Sequence, residues 1–546
     1  MPSKTRLELT WIGKENRAKL EPRILLEDPE KSYHGPHRVT DHDLFDNRLI
    51  FGDNLLALKA LEQEFTGKIK CIYIDPPYNT GSAFEHYDDG IEHSLWLSLM
   101  RNRLDGLQKL LSSEGCIFVQ IDDREFAYLK VLMDEAFGRR NFLGSVVWQK
   151  RVSPDPDSKF ISGTHDYLFC YAKDIDFCQL NRLPRTALQD GRYENPDNDP
   201  RGPWTSSDLT RREYREHDFY PIKLPSGREV SPAHGRSWSV PKDSFEQLVR
   251  DNRIWFGPRG DSMPRRKRFL SEVRQGVVPT SWWSVEDAGR NEDAKREIIG
   301  LFPDDPNVFA TPKPERLIRR CLELGTNPGD WILDSFAGSG TTGAVAHKMG
   351  RRWIIVELGE HCHTHIIPRL KKVIDAHDPG GITEAVAWKG GGGFRYYRLA
   401  PSLLAKDKWG NWVINKAYNA TMLAEAVCKL EGFTYAPSDA VYWQHGHSTE
   451  RDFIYVTTQN LSHDQLQQLS DEVGPTRSLL IMCTAFRGKP DRYPNLTIKK
   501  IPKAVLSRCE WGKDDYSLRV ESLPKAPLPP GQQALGLEMI EKEPGR

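Results

Sequence analysis

The chain has 546 residues, a formal net charge of zero, 38% hydrophobic and 28% charged residues. This length exceeds what one compact core usually takes, so we expect two or three domains. The balance of apolar and charged residues is that of a soluble protein, and no apolar run is long enough to cross a bilayer. The 9 cysteines include no CxxC pair and the N-terminus has no secretory signal, so we expect a cytoplasmic protein with reduced thiols.

The first part of the chain predicts an arm followed by one half of an α/β sheet. Residues 1–45 alternate charged and apolar groups around Pro-containing turns, which indicates an N-terminal arm rather than an independent domain. Residues 46–150 alternate strand-like and helix-like patterns, namely RLIFGDN, LLALKALEQEF, KIKCIYID, SLWLSLMRNRLDGLQKLL, GCIFVQID, REFAYLKVLMDEAF and SVVWQK. This βαβ order predicts a doubly wound sheet.

The periodicity fails after residue 150 and returns near residue 300. Residues 151–300 are rich in Pro, Gly, Trp, Arg and Asp, with short β-like pieces such as HDYLFCYAK and RIWFGPR, so we expect an inserted recognition region. Residues 301–395 contain a second βαβ unit in WILDSFAGSGTTGAVAHKMG and RRWIIVEL. Residues 396–522 predict a small C-terminal α/β domain, and the Pro-rich residues 523–546 predict a disordered tail.

The sharpest chemical signal is Asp75-Pro76-Pro77-Tyr78, directly after the buried strand CIYI. In an open α/β sheet, ligands bind at the carboxyl ends of the strands. Two prolines stiffen this loop and supply carbonyls without competing N–H donors. The loop therefore predicts a rigid row of acceptors that begins with a carboxylate and ends with an aromatic face. The alternative is a tight turn whose carboxylate caps the next helix.

Such a row of acceptors suits the exocyclic amino group of a nucleobase. Its nitrogen is a poor nucleophile because the lone pair is delocalised into the ring. Acceptors on the N–H bonds, here Asp75 and the Pro76 carbonyl, favour a tetrahedral nitrogen, while Tyr78 stacks on a base that has left the helix. Extrusion costs a few kcal/mol, and stacking at about 1–3 kcal/mol per base partly offsets this cost.

The second signal is the glycine loop in DSFAGSGTT, residues 334–342, which lies between a predicted strand and a predicted helix. Glycines allow close approach of the backbone to a ligand, and a helix start offers N–H donors to a carboxylate. The next strand ends in Glu357, where an acidic group can accept hydrogen bonds from ribose hydroxyls. A nucleotide-like cofactor is implied. The alternatives are a dinucleotide dehydrogenase, although the full GxGxxG spacing is missing, and a P-loop, although no lysine follows the glycines.

Together these motifs resemble the amino-methylating DNA methyltransferases in which the DPPY loop precedes the FxGxG loop. The chain looks most like the modification subunits of type III restriction–modification systems. The resemblance covers most of residues 5–400 and rests on LTWIGKENR, FGDNLLALKAL, IDPPYNTG, TPKPERLI, DSFAGSGTT and GGGFRYYRL.

The resemblance implies a Rossmann-like, doubly wound α/β sheet that binds S-adenosylmethionine, with a target-recognition insertion. It implies methylation of the adenine N6 amino group in double-stranded DNA, because this family more often has Asp than Ser before PPY in adenine enzymes. Cytosine N4 is the nearest alternative, followed by a catalytically silent DNA-recognition subunit and by a protein or RNA methyltransferase. A homodimer and a helicase–nuclease restriction subunit are the implied partners, and no membrane is.

The same resemblance assigns residues to the cofactor. Asp53 of GDN would contact its adenine ring, although a helix cap is the alternative, and Lys313 would lie near its carboxylate. Phe336 would pack beside cofactor and target base, and Glu357 would hold the ribose. The remaining assignments fall in the glycine loop, with Gly338 and Gly340 shaping the methionine pocket, and comprise Asp334, Gly338, Gly340 and Thr341.

The recognition region contains a stretch of cations interleaved with aromatic side chains, RIWFGPRGDSMPRRKRF. Cations suit phosphates and guanine edges, so this stretch predicts DNA contact. Its predicted DNA-binding residues are Arg253, Trp255, Arg259, Arg265, Arg266, Lys267 and Arg268. A second candidate contains Arg201, Trp204, Arg211, Arg212 and Arg215. A solvated charged loop is the alternative for both.

Four potential metal ligands occur close together at His361, Cys362, His363 and His365. Neighbours at one and two positions on a helix face different directions, so they do not converge on one ion. We therefore predict no metal.

Overall fold

The computed structural model describes residues 8–78, 89–156, 158–185, 187–273, 276–304, 309 and 311–517. The chain divides into two compact units. The larger unit comprises residues 1–181 and 280–546, and the smaller unit comprises residues 182–279. The predicted disordered tail, residues 523–546, lies outside the described residues.

The part of the larger unit before residue 182 contains the first half of an α/β sheet. Its elements are β1 (Leu25–Glu27), β2 (Tyr33–His34), β3 (Asn47–Phe51), α1 (Asn54–Phe65), β4 (Ile69–Ile74), α2 (Asp89–Leu110), β5 (Leu111–Ile121), α3 (Phe126–Met133), β6 (Phe142–Gln149) and β7 (His165–Ala172). Helix α1 begins after Asp53, whose carboxylate accepts hydrogen bonds from the N–H groups of Leu55 and Leu56. Such a cap satisfies donors that a helix start leaves unpaired.

The smaller unit consists of short strands around a small apolar core. Its elements are α4 (Ala187–Asp190), β8 (Trp204–Asp208), β9 (Thr210–Arg211), β10 (Ile222–Lys223), β11 (Glu229–Val230), β12 (Ser237–Trp238), α5 (Lys242–Arg250), β13 (Ile254–Trp255) and β14 (Arg265–Phe269). Strand β14 pairs antiparallel with both β13 and β8. The core includes Tyr220, Trp238, Phe245 and Ile254.

The chain returns to the larger unit at residue 280. The elements that follow are β15 (Trp282–Trp283), α6 (Val285–Ala288), α7 (Asn291–Leu301), α8 (Glu315–Gly325), β16 (Trp331–Asp334), α9 (Thr341–Lys348), β17 (Arg352–Glu357), α10 (Ile367–Ile374) and β18 (Gly393–Leu399). The C-terminal elements are β19 (Leu404–Lys406), β20 (Trp412–Ile414), α11 (Ala420–Glu431), β21 (Thr434–Tyr435), β22 (Gly446–His447), β23 (Asp452–Val456), β24 (Asn460–Leu461), α12 (His463–Val473), β25 (Ser478–Cys483), β26 (Ala485–Phe486) and β27 (Leu496–Lys500).

The central sheet has the strand order β1-β18-β3-β17-β16-β4-β5-β7-β6-β15, with β2 paired to β18. The strands from β18 to β5 in this order are parallel, and β7 runs antiparallel between β5 and β6. Strand β4 is a direct parallel neighbour of β16, with Cys71 opposite Ile332 and Ile72 opposite Leu333. The loops that follow these two strands therefore leave the same edge of the sheet side by side.

Helices cover both faces of this sheet. On one face, Ile72 and Ile74 of β4 share a core cluster with Leu58 of α1 and Trp96 of α2. On the other face, a Cβ placed on Gly343 of α9 would lie 2.9 Å from the Ile355 side chain of β17. Because neighbouring residues of a strand point to opposite faces, both faces of the sheet are buried. The structure confirms the predicted doubly wound α/β fold.

The boundaries of the insertion differ from those expected. The strand HDYLFCYAK lies in the central sheet as β7 rather than in the recognition region, and the separate unit comprises residues 182–279 rather than 151–300. Pairing with β5 and β6 buries most of β7, but a short apolar run does not indicate which sheet it joins. The C-terminal sheet, β21-β22-β23-β25-β27, belongs to the larger unit, and Ile24 of the N-terminal arm lies in its core. No helix among the described residues has the length and apolar character needed to span a membrane.

Gly325, at the end of α8, marks a close approach of a helix to the sheet. A methyl group there would lie 2.8 Å from Cys116 Sγ and 2.9 Å from Cys71 Sγ, both buried. We expect Gly325→Ala to lower the free energy of unfolding by about 1–3 kcal/mol, because a well-packed core accommodates an added carbon only by moving. The midpoint of thermal denaturation measures the effect.

Gly300→Ala in α7 is the matched control, because a Cβ at Gly300 meets nothing within 4 Å. It should leave the midpoint unchanged or raise it, since alanine favours helix by about 0.5–1 kcal/mol relative to glycine. Equal destabilisation by both variants would contradict the close approach of α8 to β4 and β5.

Candidate active site

The loops that follow β4 and β16 line one cavity of about 1080 Å³. Asp75, Pro76, Pro77 and Tyr78 contribute from the first loop, and Ser335 and Phe336 contribute from the second. Asp53 at the start of α1 and Glu357 at the end of β17 also line it. The structure therefore brings the two predicted motifs into one space, as parallel pairing of their strands requires.

The DPPY loop is fixed by side chains from outside the motif. Tyr78 donates its hydroxyl hydrogen to Asp75 Oδ1 at 2.7 Å, and Trp96 of α2 donates its indole N–H to the Pro77 carbonyl at 2.7 Å. Burial, with the negative charge of Asp75 beside it, raises the pKa of Tyr78 well above its usual value. The phenol therefore stays protonated and remains a donor to Asp75.

Lys313 contacts the DPPY loop directly. Its ammonium group forms an ion pair with Asp75 Oδ2 and lies 5.4 Å from the centroid of the Tyr78 ring. We expected this lysine near the carboxylate of a cofactor; it lines the same cavity as Phe336 and Glu357, and its observed partner is Asp75. The sequence TPKP does not indicate this contact, because Asp75 is 238 residues away in the chain.

The glycine loop is folded around two carboxylates. The buried Asp334 accepts the Phe336 N–H at 2.9 Å and the Thr342 hydroxyl at 2.6 Å, and burial raises its pKa to about 7. Glu357 accepts the Gly338 N–H at 2.8 Å. Gly338 has φ of 53° and Gly340 has φ of 75°, values that favour glycine. Of the predicted cofactor residues, the ones that do not line the cavity are Asp334, Gly338, Gly340 and Thr341.

A buried ionic network holds the start of α9. Arg369 donates to the Thr341 hydroxyl at 2.9 Å and to Glu315 Oε1 at 2.9 Å. Lys348 pairs with the other Glu315 oxygen at 2.8 Å and with Asp378 at 2.7 Å. Thr341 is therefore bonded to Arg369 at the start of α9 and does not line the cavity. The sequence pattern does not reveal this arrangement.

The cavity residues fit a cofactor that contains a nucleoside and a charged tail. Phe336 offers an aromatic face, and Glu357 ends its strand at the cavity. The buried Ser335 hydroxyl has no hydrogen-bond partner among the described residues, although Ser335 lines the cavity. A buried polar group without a partner is costly, so a ligand that bonds it is favoured. The volume of about 1080 Å³ lies just above the usual range of small-molecule sites, roughly 300–1,000 Å³.

Asp53 has two roles in the structure. Its Oδ1 caps α1, and its Oδ2 accepts the Tyr516 N–H at 2.9 Å. The neighbouring Ser517 lines the cavity, so the C-terminal segment forms part of its wall. Sequence reasoning missed this segment, because nothing in its composition indicates where it lies.

Sequence reasoning also missed a charged pair at the cavity. Lys150, after β6, pairs with Asp166 of β7 at 2.7 Å, and both line the cavity. Gln120 donates to Asp166 at 3.2 Å and accepts the Tyr73 hydroxyl at 2.6 Å. The polar residues within two hydrophobic strands, Gln120 in CIFVQI and Asp166 in HDYLFCYA, were the available signal.

The predicted DNA-binding residues differ in their environments. Lys267 is buried and paired with Asp197 and Asp199, and Arg253 is paired with Glu272 and Asp251. The inward side of β14 buries Lys267, and Arg253, which precedes β13, is held by two surface carboxylates, so both cations pair within the smaller unit. The exposed cations are Arg259, Arg265, Arg266 and Arg268, and Trp255 is half-buried against Trp204.

Two arginines of the second cationic stretch form hydrogen bonds within the smaller unit. Arg201 forms two hydrogen bonds with Asp199, and Arg211 donates to the carbonyls of Trp238 and Ser239. Trp204 is buried. Arg212 and Arg215 are exposed.

The clustered histidines take separate partners. His361 Nε2 lies 3.1 Å from Glu357 Oε1, His363 bonds the Tyr396 hydroxyl at 2.8 Å, and His365 bonds Thr364 at 2.8 Å. In the described part of the chain, no group of three or more His, Cys, Asp or Glu side chains is arranged to hold a metal ion.

Comparison with known families identifies the family of this chain. The family model described as DNA methylase matches residues 69–368, more than half of the chain, from β4 through the DPPY and glycine loops. The chain belongs to the DNA methylase family. This membership confirms the predicted resemblance to DNA methyltransferases.

Two curated relatives of this DNA methylase are modification subunits. The chain is 31% identical over 418 residues to the probable type III restriction-modification enzyme HindVI Mod subunit of Haemophilus influenzae, covering 67% of this chain and 55% of that protein. It is 32% identical over 370 residues to the type III restriction-modification enzyme StyLTI Mod subunit of Salmonella typhimurium, covering 61% of this chain and 55% of that protein. The chain thus spans about half the length of these relatives.

A solved structure similar to this chain is the cytosine-N4-specific PvuII DNA methyltransferase. The TM-score is 0.35 at 13% sequence identity, covering 65% of this chain and 98% of that chain.

Glu297 of α7 couples the ionic network of the methylase to pH. It accepts the Glu315 N–H at 3.1 Å, and burial, with the negative Glu315 nearby, raises its pKa to about 7. A raised pKa means that the folded state holds a proton which the unfolded state releases. Its stabilising contribution is therefore lost as the pH rises from about 4.5 to about 7.

We expect Glu297→Gln, which does not titrate, to become more stable relative to the unmodified protein as the pH rises from about 5 to about 8, by up to about 1–3 kcal/mol. Thermal denaturation midpoints across this range measure the difference. The exposed Glu384→Gln is the control and should follow the unmodified protein at every pH. Parallel pH curves for Glu297→Gln and the unmodified protein would contradict the assignment.

Proposed function

We propose that this DNA methylase transfers a methyl group from S-adenosylmethionine to the N6 amino group of adenine in double-stranded DNA, as the modification subunit of a restriction–modification system. The observation that carries the proposal is the single cavity lined by Asp75 and Tyr78 on one side and by Phe336 and Glu357 on the other. When bound, S-adenosylmethionine supplies an activated methyl group. No nucleophilic cysteine is needed.

The residues of the cofactor side are those at the ends of β16 and β17. Glu357 would accept hydrogen bonds from ribose hydroxyls, Phe336 would pack against the cofactor, and the Ser335 hydroxyl would gain a partner. Asp53 would contact the adenine ring while it continues to cap α1. Glu357 accepts the Gly338 N–H and Asp334 accepts the Phe336 N–H, so these carboxylates would keep Gly338 and Gly340, with Thr341 after them, in the conformation that leaves room for the methionine tail.

The residues of the base side are those of the DPPY loop. Asp75 and the Pro76 carbonyl accept the two amino N–H bonds, which concentrates electron density on the nitrogen, and the Tyr78 ring stacks on the base. Trp96 and Pro77 keep this loop rigid. Lys313 positions Asp75 before the base enters, because its ammonium is already paired with that carboxylate.

The relatives support a modification subunit, since both compared proteins are Mod subunits of type III restriction-modification enzymes. A helicase–nuclease restriction subunit as partner, a homodimer and a cytoplasmic location stay predictions. Sequencing of methylated positions in DNA exposed to the protein tests the proposal as a whole. N6-methyladenine at one DNA sequence supports the proposal. N4-methylcytosine would show that the target base is cytosine rather than adenine, and the absence of any methylated base would refute the proposal.

Asp75→Ala tests the base side of the cavity. We expect methyl transfer to fall by roughly 100-fold to 10,000-fold, because the acceptor for the amino group is lost. Cofactor affinity should stay nearly unchanged. Single-turnover transfer of a radiolabelled methyl group and calorimetry with S-adenosylmethionine measure the two quantities.

Asp75→Asn is a second variant that retains an acceptor for the Tyr78 hydroxyl but loses the ion pair with Lys313, so unchanged cofactor affinity and thermal midpoint in both variants would show that the loop stays folded. Gly338→Val should have the reverse effect and weaken cofactor binding, because φ of 53° strains a branched residue and Phe309 lies 3.4 Å from the new Cβ. Loss of cofactor binding in Asp75→Ala would contradict the assigned role.

Arg266 and Arg268 test the DNA surface of the smaller unit. They lie on the same exposed face of β14, opposite the buried Lys267. The double variant Arg266→Ala/Arg268→Ala should weaken DNA binding and lower the slope of log affinity against log salt by roughly 1–2, because each lost phosphate contact retains one counterion. Fluorescence anisotropy over a salt series measures this slope.

The control is Arg140→Ala, an exposed arginine before β6 that pairs with Asp174 and Asp176. It precedes the amino end of β6, whereas the cavity lies at the carboxyl ends of the parallel strands. An unchanged slope in the double variant, or the same change in the control, would exclude β14 as a phosphate-binding surface.

A further inference from the structure

The loop between β6 and β7 borders the cavity. Strand β6 runs in the same direction as β4, because both β5 and β6 are antiparallel to β7 and β5 is parallel to β4. The loop therefore starts at the edge of the sheet that carries the DPPY loop. Its residues Arg151 and Ser153 to Pro156 line the cavity.

Hydrogen bonds and an ion pair between residues of this loop join its two sides. At its base, the Lys150 N–H donates to the Thr164 carbonyl at 3.0 Å. Further out, the Asp155 N–H donates to the Ser162 hydroxyl at 2.6 Å, and Arg151 pairs with Asp155 at 3.1 Å. Asp155 lines the cavity and bonds Ser162, so Ser162, which follows Ile161 in the chain, lies beside the cavity rim.

The tip of the loop carries two adjacent apolar side chains in solvent. Phe160 is 96% exposed and Ile161 is 94% exposed, more than any other large hydrophobic residue in the described parts of the chain. Isolated exposed apolar residues are ordinary, but two neighbours at the end of a tied loop beside a cavity favour burial in a partner. Two side chains are too few for a stable protein interface, which buries about 1,200 Å² or more.

We propose that Phe160, with Ile161 beside it, inserts into the DNA duplex and fills the space that the target base leaves when it enters the cavity. This inference rests on the proposed function. Eversion of a base leaves its neighbours unstacked, and apolar side chains such as Phe and Ile insert between base steps in other DNA complexes. Lys159, exposed and next to Phe160, suits the adjacent phosphate backbone.

The inserted side chain acts on the base, not on the methyl group. Phe160 stabilises the everted state of the DNA and touches neither the cofactor nor the amino group. Its loss should therefore matter only where the base must be pulled from an intact pair. A base whose partner is missing needs less energy to leave the helix, so it should need the wedge less.

The test compares Phe160→Ala and Phe160→Leu with the control Phe177→Ala, in the full-length protein with S-adenosylmethionine. Phe177 is also exposed but follows β7, at the opposite edge of the sheet. Two duplexes carry the recognition sequence found by methylation sequencing. One is fully paired, and the other has an abasic site opposite the target base. A paired duplex with 2-aminopurine at the target position reports eversion by fluorescence.

On the paired duplex we expect Phe160→Ala to lower kcat/KM by roughly tenfold or more and to reduce the 2-aminopurine signal, because one stacking contact is lost. Phe160→Leu should retain most activity, since leucine also fills the gap, and Phe177→Ala should match the unmodified protein. On the abasic duplex, Phe160→Ala should recover to within about twofold. Cofactor affinity should be unchanged in all variants.

Normal activity of Phe160→Ala on the paired duplex, or an equal loss on both duplexes, would overturn the wedge while leaving the methyltransferase intact. An unmodified protein that methylates no DNA would instead remove the proposed function, and this inference with it.

Discussion

The parallel pairing of β4 with β16 is the constraint on which the site depends. Cys71 and Ile72 lie opposite Ile332 and Leu333, so the two strands end together and their loops meet. The two loops do not need a direct contact with each other to come together, because the buried sheet fixes the ends of both strands. The smaller unit and several helices separate the two strands in the chain, and the sheet tolerates them because each insertion leaves it from a strand end.

The fold could be predicted where the chain repeats a strand, a loop and a helix. β4, β16 and β17 are short apolar runs followed by turn or glycine residues, and this pattern predicts both the strands and their common edge. β7 could not be placed in this way. It is equally apolar, but its place between β5 and β6 depends on antiparallel pairing across a long loop, and the surrounding Pro-rich and Gly-rich sequence indicated an insertion.

The positions of some site residues could be predicted because they follow from the predicted strand ends. Asp75, Phe336 and Glu357 each lie at or just beyond a strand end, so their positions follow from the strands. Lys313 and Lys267 follow no such rule. Whether a lysine lies in solvent, at a phosphate or beside a buried carboxylate depends on which distant segments pack against it. The pairing of Lys313 with Asp75 and of Lys267 with Asp197 could therefore not be predicted from the sequence.

If Asp75 accepts the amino group as proposed, its contacts would also give the cavity a preference among bases. One oxygen accepts the Tyr78 hydroxyl and the other pairs with Lys313, so both are engaged before any base arrives. A base that enters must exchange one of these partners for its own donor. An exocyclic amino group offers two N–H donors, one for Asp75 and one for the Pro76 carbonyl, whereas thymine offers only its single ring N–H. Half-buried charge makes an incomplete exchange costly, because an unpaired group there loses both water and partner. In the proposed role of Asp75, the pairing that positions the acceptor would thus also favour amino-bearing bases.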